Sequence, residues 1–238
     1  MSGDKVAVVT GATGALGRVV AKLLLERGVR VVASYRTDAK LAELLEAVGD
    51  LWSNVTPVEA DVTDEDSVKN LVAKAVDKHG RIDFLFNIVG GYEGGSDVAG
   101  IEESVWDSMM NVNLKSVFLC SKAVLPVMVQ QNYGRIVSVS SRTAVESGRR
   151  ARSSAYAVSK AGVIVLTEAI AEEVKKYDVN VNCVMPSTID TPSNRRDFPK
   201  ADFSKWVDPK DIAEVMLFLV SDASKVVSGA AVPVYGKA

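Results

Sequence analysis

A chain of 238 residues with 47% hydrophobic and 24% charged residues is long enough to bury a full core and too apolar to be disordered. Its net charge of −2 and isoelectric point near 5.6 argue against a general nucleic-acid binder. No apolar run reads as a membrane span, no signal-peptide pattern opens the chain, and no His/Cys/Asp cluster suggests a metal. Cys120 and Cys183 lie in apolar runs and read as buried free thiols of a reducing compartment, so a cytoplasmic location is expected.

The elements alternate along the chain. KVAVVT (5–10) is a short β-branched strand that meets a glycine loop, and 16–28 carries apolar residues at helical spacing up to Gly28. A strand at 29–35, a helix near 38–48, a strand at 54–61 and a helix over 65–79 follow. His79, the single histidine, falls at that helix end and reads as a capping or solvated residue. A fourth strand covers 82–89, and a long amphipathic stretch runs from Glu102 to Gln131, where Pro126 predicts a kink or break. Strands at 134–141, 178–185 and 230–235, with helices at 154–176 and 209–221, complete the series. Apolar strands alternating with helices predict an α/β fold: one Rossmann-type, doubly wound domain over 1–238, with a parallel sheet of about seven strands covered on both faces.

The loop TGATGALG places Gly11, Gly14 and Gly17 between the first strand and first helix. Glycines there let the backbone approach a pyrophosphate, whose charge the helix N-terminus stabilises. Thr13, Ala15 and Leu16 belong to the same loop. The end of the second strand, SYRTD, decides which dinucleotide is favoured. An acidic residue there would take the ribose hydroxyls of NAD, whereas a basic one pairs with a 2′-phosphate. Ser34, Tyr35 and Arg36 stand at that place, which favours NADP, with NAD the alternative. Asp61 is positioned for the adenine amino group with Val62 against the ring, or equally as the N-cap of the next helix.

In SSAYAVSKAG, Tyr156 and Lys160 stand one helical turn apart, a spacing that chance readily supplies. The loop, NIVGG, NVNLKSVF, GRIVSVSS, YAVSK and NCVMPSTIDTP nevertheless occur together in order. Over nearly the whole chain this resembles the short-chain dehydrogenase/reductase family. The resemblance implies a homotetramer or homodimer that moves hydride between a nicotinamide and a carbonyl or alcohol carbon, without nucleic-acid or membrane partners. It implies Tyr156 as general acid/base, Lys160 as its electrostatic partner, Ser141 on the substrate oxygen and Asn113 shaping the helix beside a relay water. It further implies Asn87 and Gly90 beside the adenosine ribose, and Pro186, Ile189 and Thr191 near the nicotinamide half. A free phenol is too weak an acid at neutral pH, and an ammonium one turn away, together with the positive nicotinamide ring, would lower its pKa. Three positions depart from the family pattern: Ala15 replaces the second glycine, Ile88 and Val89 are bulkier than usual, and Ser187 replaces the glycine after Pro186.

The segment 186–206, with a short substrate lid at about 191–208, and VGGYEGG (89–95), which carries Tyr92, resemble dihydropteridine reductases. Tyr92 and Ser187 join Ser141 and Tyr156 as candidate substrate contacts. A carbonyl reductase, a reductase of a quinonoid pterin and a non-catalytic dinucleotide sensor are the three functions this pattern allows. Arg142, Arg149, Arg150, Arg152, Arg195 and Arg196 would either attract an anionic substrate or carrier protein, or form a solvated face or salt bridges between subunits.

Overall fold

In the first strand, β1 (Val6–Thr10), every side chain is buried, and successive residues point to opposite layers. Ala7 and Val9 face one apolar cluster and Val6 and Val8 the other, so both sheet faces must be covered. A computed structural model, describing residues 5–237, shows how this is met. Strands β2 (Arg30–Tyr35), β3 (Val55–Glu59), β4 (Phe84–Asn87), β5 (Gly134–Val139), β6 (Val179–Pro186) and β7 (Ala231–Val234) join β1 in one sheet, ordered β3-β2-β1-β4-β5-β6-β7. All pairs are parallel; Val8, for instance, sits between Val32 and Leu85. The order reverses between β1 and β4, the switch point at which doubly wound sheets take their ligands.

One face is covered by α1 (Ala15–Glu26), α2 (Asp38–Val48) and α8 (Pro209–Leu219), through Val20, Leu24, Leu44, Ile212 and Met216. The other carries α3 (Glu65–His79), α5 (Ser116–Gln131) and α6 (Ser154–Val174), through Leu71, Val124, Met128 and Ile170. Cys120 and Cys183 are buried free thiols, as the apolar runs suggest. His79 accepts or donates a hydrogen bond with Thr56 Oγ1 at 3.0 Å, and burial lowers its pKa. Below the sheet, the buried Asp83 takes Lys5 and Arg81 together with the Val6 amide, tying β1 to β4.

The stretch 102–131 departs from its expected form. It divides into α4 (Glu103–Met110), a π-helical turn over Asn111–Lys115, and α5. Pro126 lies inside α5 and does not end it: Val124 and Met128, both fully buried against the sheet, hold the turn together despite the missing amide. The interruption comes from Asn113 instead, whose side chain bonds across to a neighbouring loop. Glu103–Gln131 and Ser154–Val174 are, against the sequence expectation, long and apolar enough to cross a membrane by length and composition alone. In the fold their inward sides instead form a layer on the sheet, with Asn113 and Lys160 buried in them. The segment after β6 contains one short helix, α7 (Pro192–Asp197), which the sequence pattern does not announce.

Candidate active site

At the β1–α1 junction, backbone crowding explains the glycines. Gly11 has φ +65°, and a Cβ there would press on the Val89 amide at 3.2 Å. At Gly17 a Cβ would lie 2.0 Å from the Gly11 carbonyl oxygen, so no side chain fits. The Gly14 amide donates to that carbonyl at 2.9 Å, and Gly14 is the N-cap of α1 without a side-chain cap, leaving first-turn amides open to an anion. The Thr13 carbonyl is held by Arg18 at 2.8 Å. Ala15 is half-buried, and Leu16 turns its side chain into the core, so only its backbone faces the loop.

Beside this loop, Ser34 is buried and accepts a hydrogen bond from the Gly11 amide at 3.2 Å, while Arg36 is exposed at the end of β2 and Tyr35 half-buried. Asp64, not Asp61, caps α3, accepting from the Ser67 amide. Asp61 Oδ1 accepts from the Thr63 amide and hydroxyl, and those bonds, helped by Arg36 and Lys115, hold its carboxyl below the usual range. Val62 is buried next to it. Asn87 ends β4, donating to Ser138 and Ser121 with its amide nitrogen, while its buried Oδ1 has no partner among the described residues. Gly90 leaves a cradle that a Cβ would fill, 2.9 Å from Asn113 Oδ1 and 3.0 Å from Lys160 Nζ. Pro186 ends β6, Ser187 donates to the Tyr235 carbonyl, Ile189 bridges Val207, and Thr191 caps α7. The glycine cradles, the open amides and the orphaned Asn87 oxygen fit a dinucleotide laid across the strand ends.

Ser141 lies two residues past β5, where its Oγ accepts from the Thr143 amide at 3.2 Å and sits beside the Tyr156 phenol, whose pKa it pulls down. Tyr156 and Lys160 stand on the first turns of α6 as the spacing predicts. Lys160 is 4% exposed and donates to the Val139 carbonyl at 2.8 Å. The expected lowering of the phenol pKa is absent in the chain alone: burial raises it, the Ser141 hydrogen bond opposes, and Tyr92 adds a smaller upward push. Lys160 does not reverse this, because burial brings its own pKa down to about 8 and its ammonium points at a carbonyl.

Asn113 clamps the loop after β4: its Oδ1 accepts from the Gly91 amide and its Nδ2 donates to the Gly91 carbonyl and to Ser159. Two positioning residues escaped the sequence reading. Ser159 donates to the Tyr156 carbonyl, linking Asn113 to the turn that carries the phenol, and Ser140 donates to the Lys160 carbonyl at 2.7 Å. Hydroxyls inside a recognised motif leave no periodic signal, so only the geometry reveals them. Tyr92 packs edge-on against Tyr156, centroids 5.0 Å apart. Of the six arginines, Arg142 and Arg149 share Glu146, Arg150 donates to the Ala144 carbonyl, and Arg195 pairs with Asp190, so much of their charge is met within the chain.

A family model described as short chain dehydrogenase matches residues 5–202. The chain belongs to the short-chain dehydrogenases. It is similar to the 3-oxoacyl-acyl-carrier-protein reductase FabG of Thermotoga maritima, 35% identical over 98% of this chain and 96% of that protein. A levodione reductase structure matches with a TM-score of 0.87 at 28% identity, covering 98% of this chain and 96% of the other. A variant of actinorhodin polyketide ketoreductase solved with NADPH matches with a TM-score of 0.90 at 28% identity, covering 99% and 97%. This short-chain dehydrogenase is therefore an NAD(P)H-dependent oxidoreductase working between carbonyl and alcohol. Neither a pteridine reductase nor a non-catalytic sensor is favoured by these relatives.

Proposed function

We propose that the enzyme reduces a small carbonyl compound with NADPH in preference to NADH, using Tyr156 as proton donor. The observation that carries this reading is the cluster in which Tyr156 lies beside the buried Ser141 and one helical turn before the buried Lys160. A bound nicotinamide supplies the hydride and, once oxidised, a positive ring. Tyr156 Oη gives its proton to the developing alkoxide, and Ser141 Oγ donates a hydrogen bond to the same oxygen. Ser140, Ser159 and Asn113 hold the backbone of that helix turn in place. Gly11, Gly14, Gly17 and the first turn of α1 take the pyrophosphate, Asp61 Oδ2 the adenine amino group, and Arg36 the 2′-phosphate.

The unit spans 1–238, and 191–208 covers the substrate as a short lid. Two copies meet over α5 and α6, where Phe118, Val158 and Val165 are exposed. The buried free thiols support a reducing, cytoplasmic setting. Following NADPH oxidation against a panel of ketones and quinones tests the reading. Tyr156→Phe is expected to abolish turnover while the NADPH dissociation constant stays within about twofold. Full activity in that variant would overturn the mechanism.

A further inference from the structure

We infer that Tyr92 is a preformed aromatic wall that selects substrates whose carbonyl is attached to a flat ring. This rests on the carbonyl-reductase reading above and extends it to the substrate's shape. A tyrosine 59% exposed to solvent has little burial to hold it still. Tyr92 is nonetheless fixed on three sides. The preceding residue, Gly91, is clamped through both its amide and its carbonyl by the buried Asn113. Two residues on, Gly94 makes room for the Tyr92 ring: a Cβ there would lie 2.6 Å from the Tyr92 hydroxyl and 2.9 Å from the Arg152 carbonyl. The next residue, Gly95, with φ +108°, donates its amide to that Arg152 carbonyl at 2.6 Å. Arg152 itself has φ +60°, and Asn132 is the only other described non-glycine residue with positive φ. Backbone in this uncommon region is thus placed at the one loop that latches the Tyr92 segment to the start of α6.

The ring so held meets Tyr156 at 79°, edge to face, directly beside the proton donor. Tyr92 therefore keeps more than half of its surface open while touching the proton donor, so that substituents of a carbonyl bound at Ser141 and Tyr156 can pack on it. Ordering an exposed ring in advance lowers the entropy lost when a ligand packs on it. A flat, fused or cyclic ketone gains an aromatic contact there, whereas a short acyclic ketone leaves most of the ring wet. Val145 and Phe198, exposed on the segments that leave β5 and β6 at the same end of the sheet, are apolar as well.

The test compares kcat/KM for 1-tetralone and for ethyl acetoacetate, with NADPH, in the parent enzyme, Tyr92→Phe, Tyr92→Leu and Gly94→Ala. Binding of 1-naphthol to the NADP complex is measured by calorimetry in parallel. Tyr92→Leu should lower the tetralone-to-acetoacetate ratio by about five- to tenfold and weaken 1-naphthol by a similar factor, while Tyr92→Phe retains both within about twofold. Gly94→Ala, which displaces the ring without removing it, should follow Tyr92→Leu. If both substrates fall equally in Tyr92→Leu, or 1-naphthol binding is unchanged, the wall is refuted. If the parent reduces neither ketone, the carbonyl-reductase reading fails on its own, and the 1-naphthol measurement still decides whether Tyr92 binds flat rings.

Discussion

Replacing Lys160 by methionine should make the cofactor-free protein more stable while removing its activity. The ammonium is buried, and its pKa is brought down to about 8 from an ordinary 10.5, chiefly by desolvation. The unfolded chain therefore holds that proton more tightly than the folded one. Below pH 8 the fold carries the full penalty, (10.5 − 8) × 1.36, or about 3 kcal/mol. Between pH 8 and 10.5 the unfolded chain binds more protons than the native one, so stability rises with pH and the penalty disappears. Methionine keeps the unbranched stem but loses the hydrogen bond to the Val139 carbonyl, which offsets about 1 to 1.5 kcal/mol. The net gain at pH 7 is about 2 kcal/mol, a rise in Tm of roughly 4 to 8 °C for a chain of this size. Urea unfolding of Lys160→Met and its parent at pH 7 and pH 9.5 reads this directly. At pH 9.5 most of the penalty is gone, so the two proteins should become nearly equal. A variant less stable than its parent at pH 7, or a difference that does not shrink with pH, would refute the account of the buried lysine.

Other substitutions test other parts of the structure. Arg36→Asp should move the kcat/KM preference from NADPH toward NADH by tenfold or more, read by comparing the two cofactors; an unchanged ratio would remove Arg36 from the 2′-phosphate site. Gly17→Ala puts a Cβ 2.0 Å from the Gly11 carbonyl oxygen and should weaken NADPH binding by at least tenfold in calorimetry, with a lowered Tm. Asp83→Ala removes the buried acceptor shared by Lys5, Arg81 and the Val6 amide and should cost about 3 kcal/mol in urea unfolding without changing KM.

The sheet was largely legible because its strands are buried on both faces, and a continuous β-branched run followed by a glycine or helical period has few other meanings. The break that Pro126 could have marked is absent for a definable reason. The intrinsic cost of proline in a helix is about 3 kcal/mol, but Val124 and Met128 on either side are locked into the sheet, and tertiary packing outweighs local preference. The true interruption, at Asn111–Lys115, has no breaker residue at all. It follows from hydrogen bonds between Asn113 and Gly91, residues 22 apart in sequence, which local pattern cannot register. Short α7 was missed for lack of an apolar face.

The same division separates the chemistry of the site from its electrostatics and its choice of substrate. Tyr156 and Lys160 share one helix, so their relation is set by a fixed rise per residue and is visible as a spacing. What burial does to their protons depends on the strands and loops around them, and it acts against the phenolate that catalysis needs. A site that sets the acid beside a buried cation stores the means to stabilise negative charge without spending it on the resting protein. Lys160 then has stabilising work to do only when charge develops on the phenol or on the substrate oxygen. That is why its removal is expected to help the fold and harm the reaction. Selection of substrate sits one layer further out, where Asn113 and Arg152 converge from distant segments on the loop that holds Tyr92 and Gly94, so neither spacing nor motif can express it.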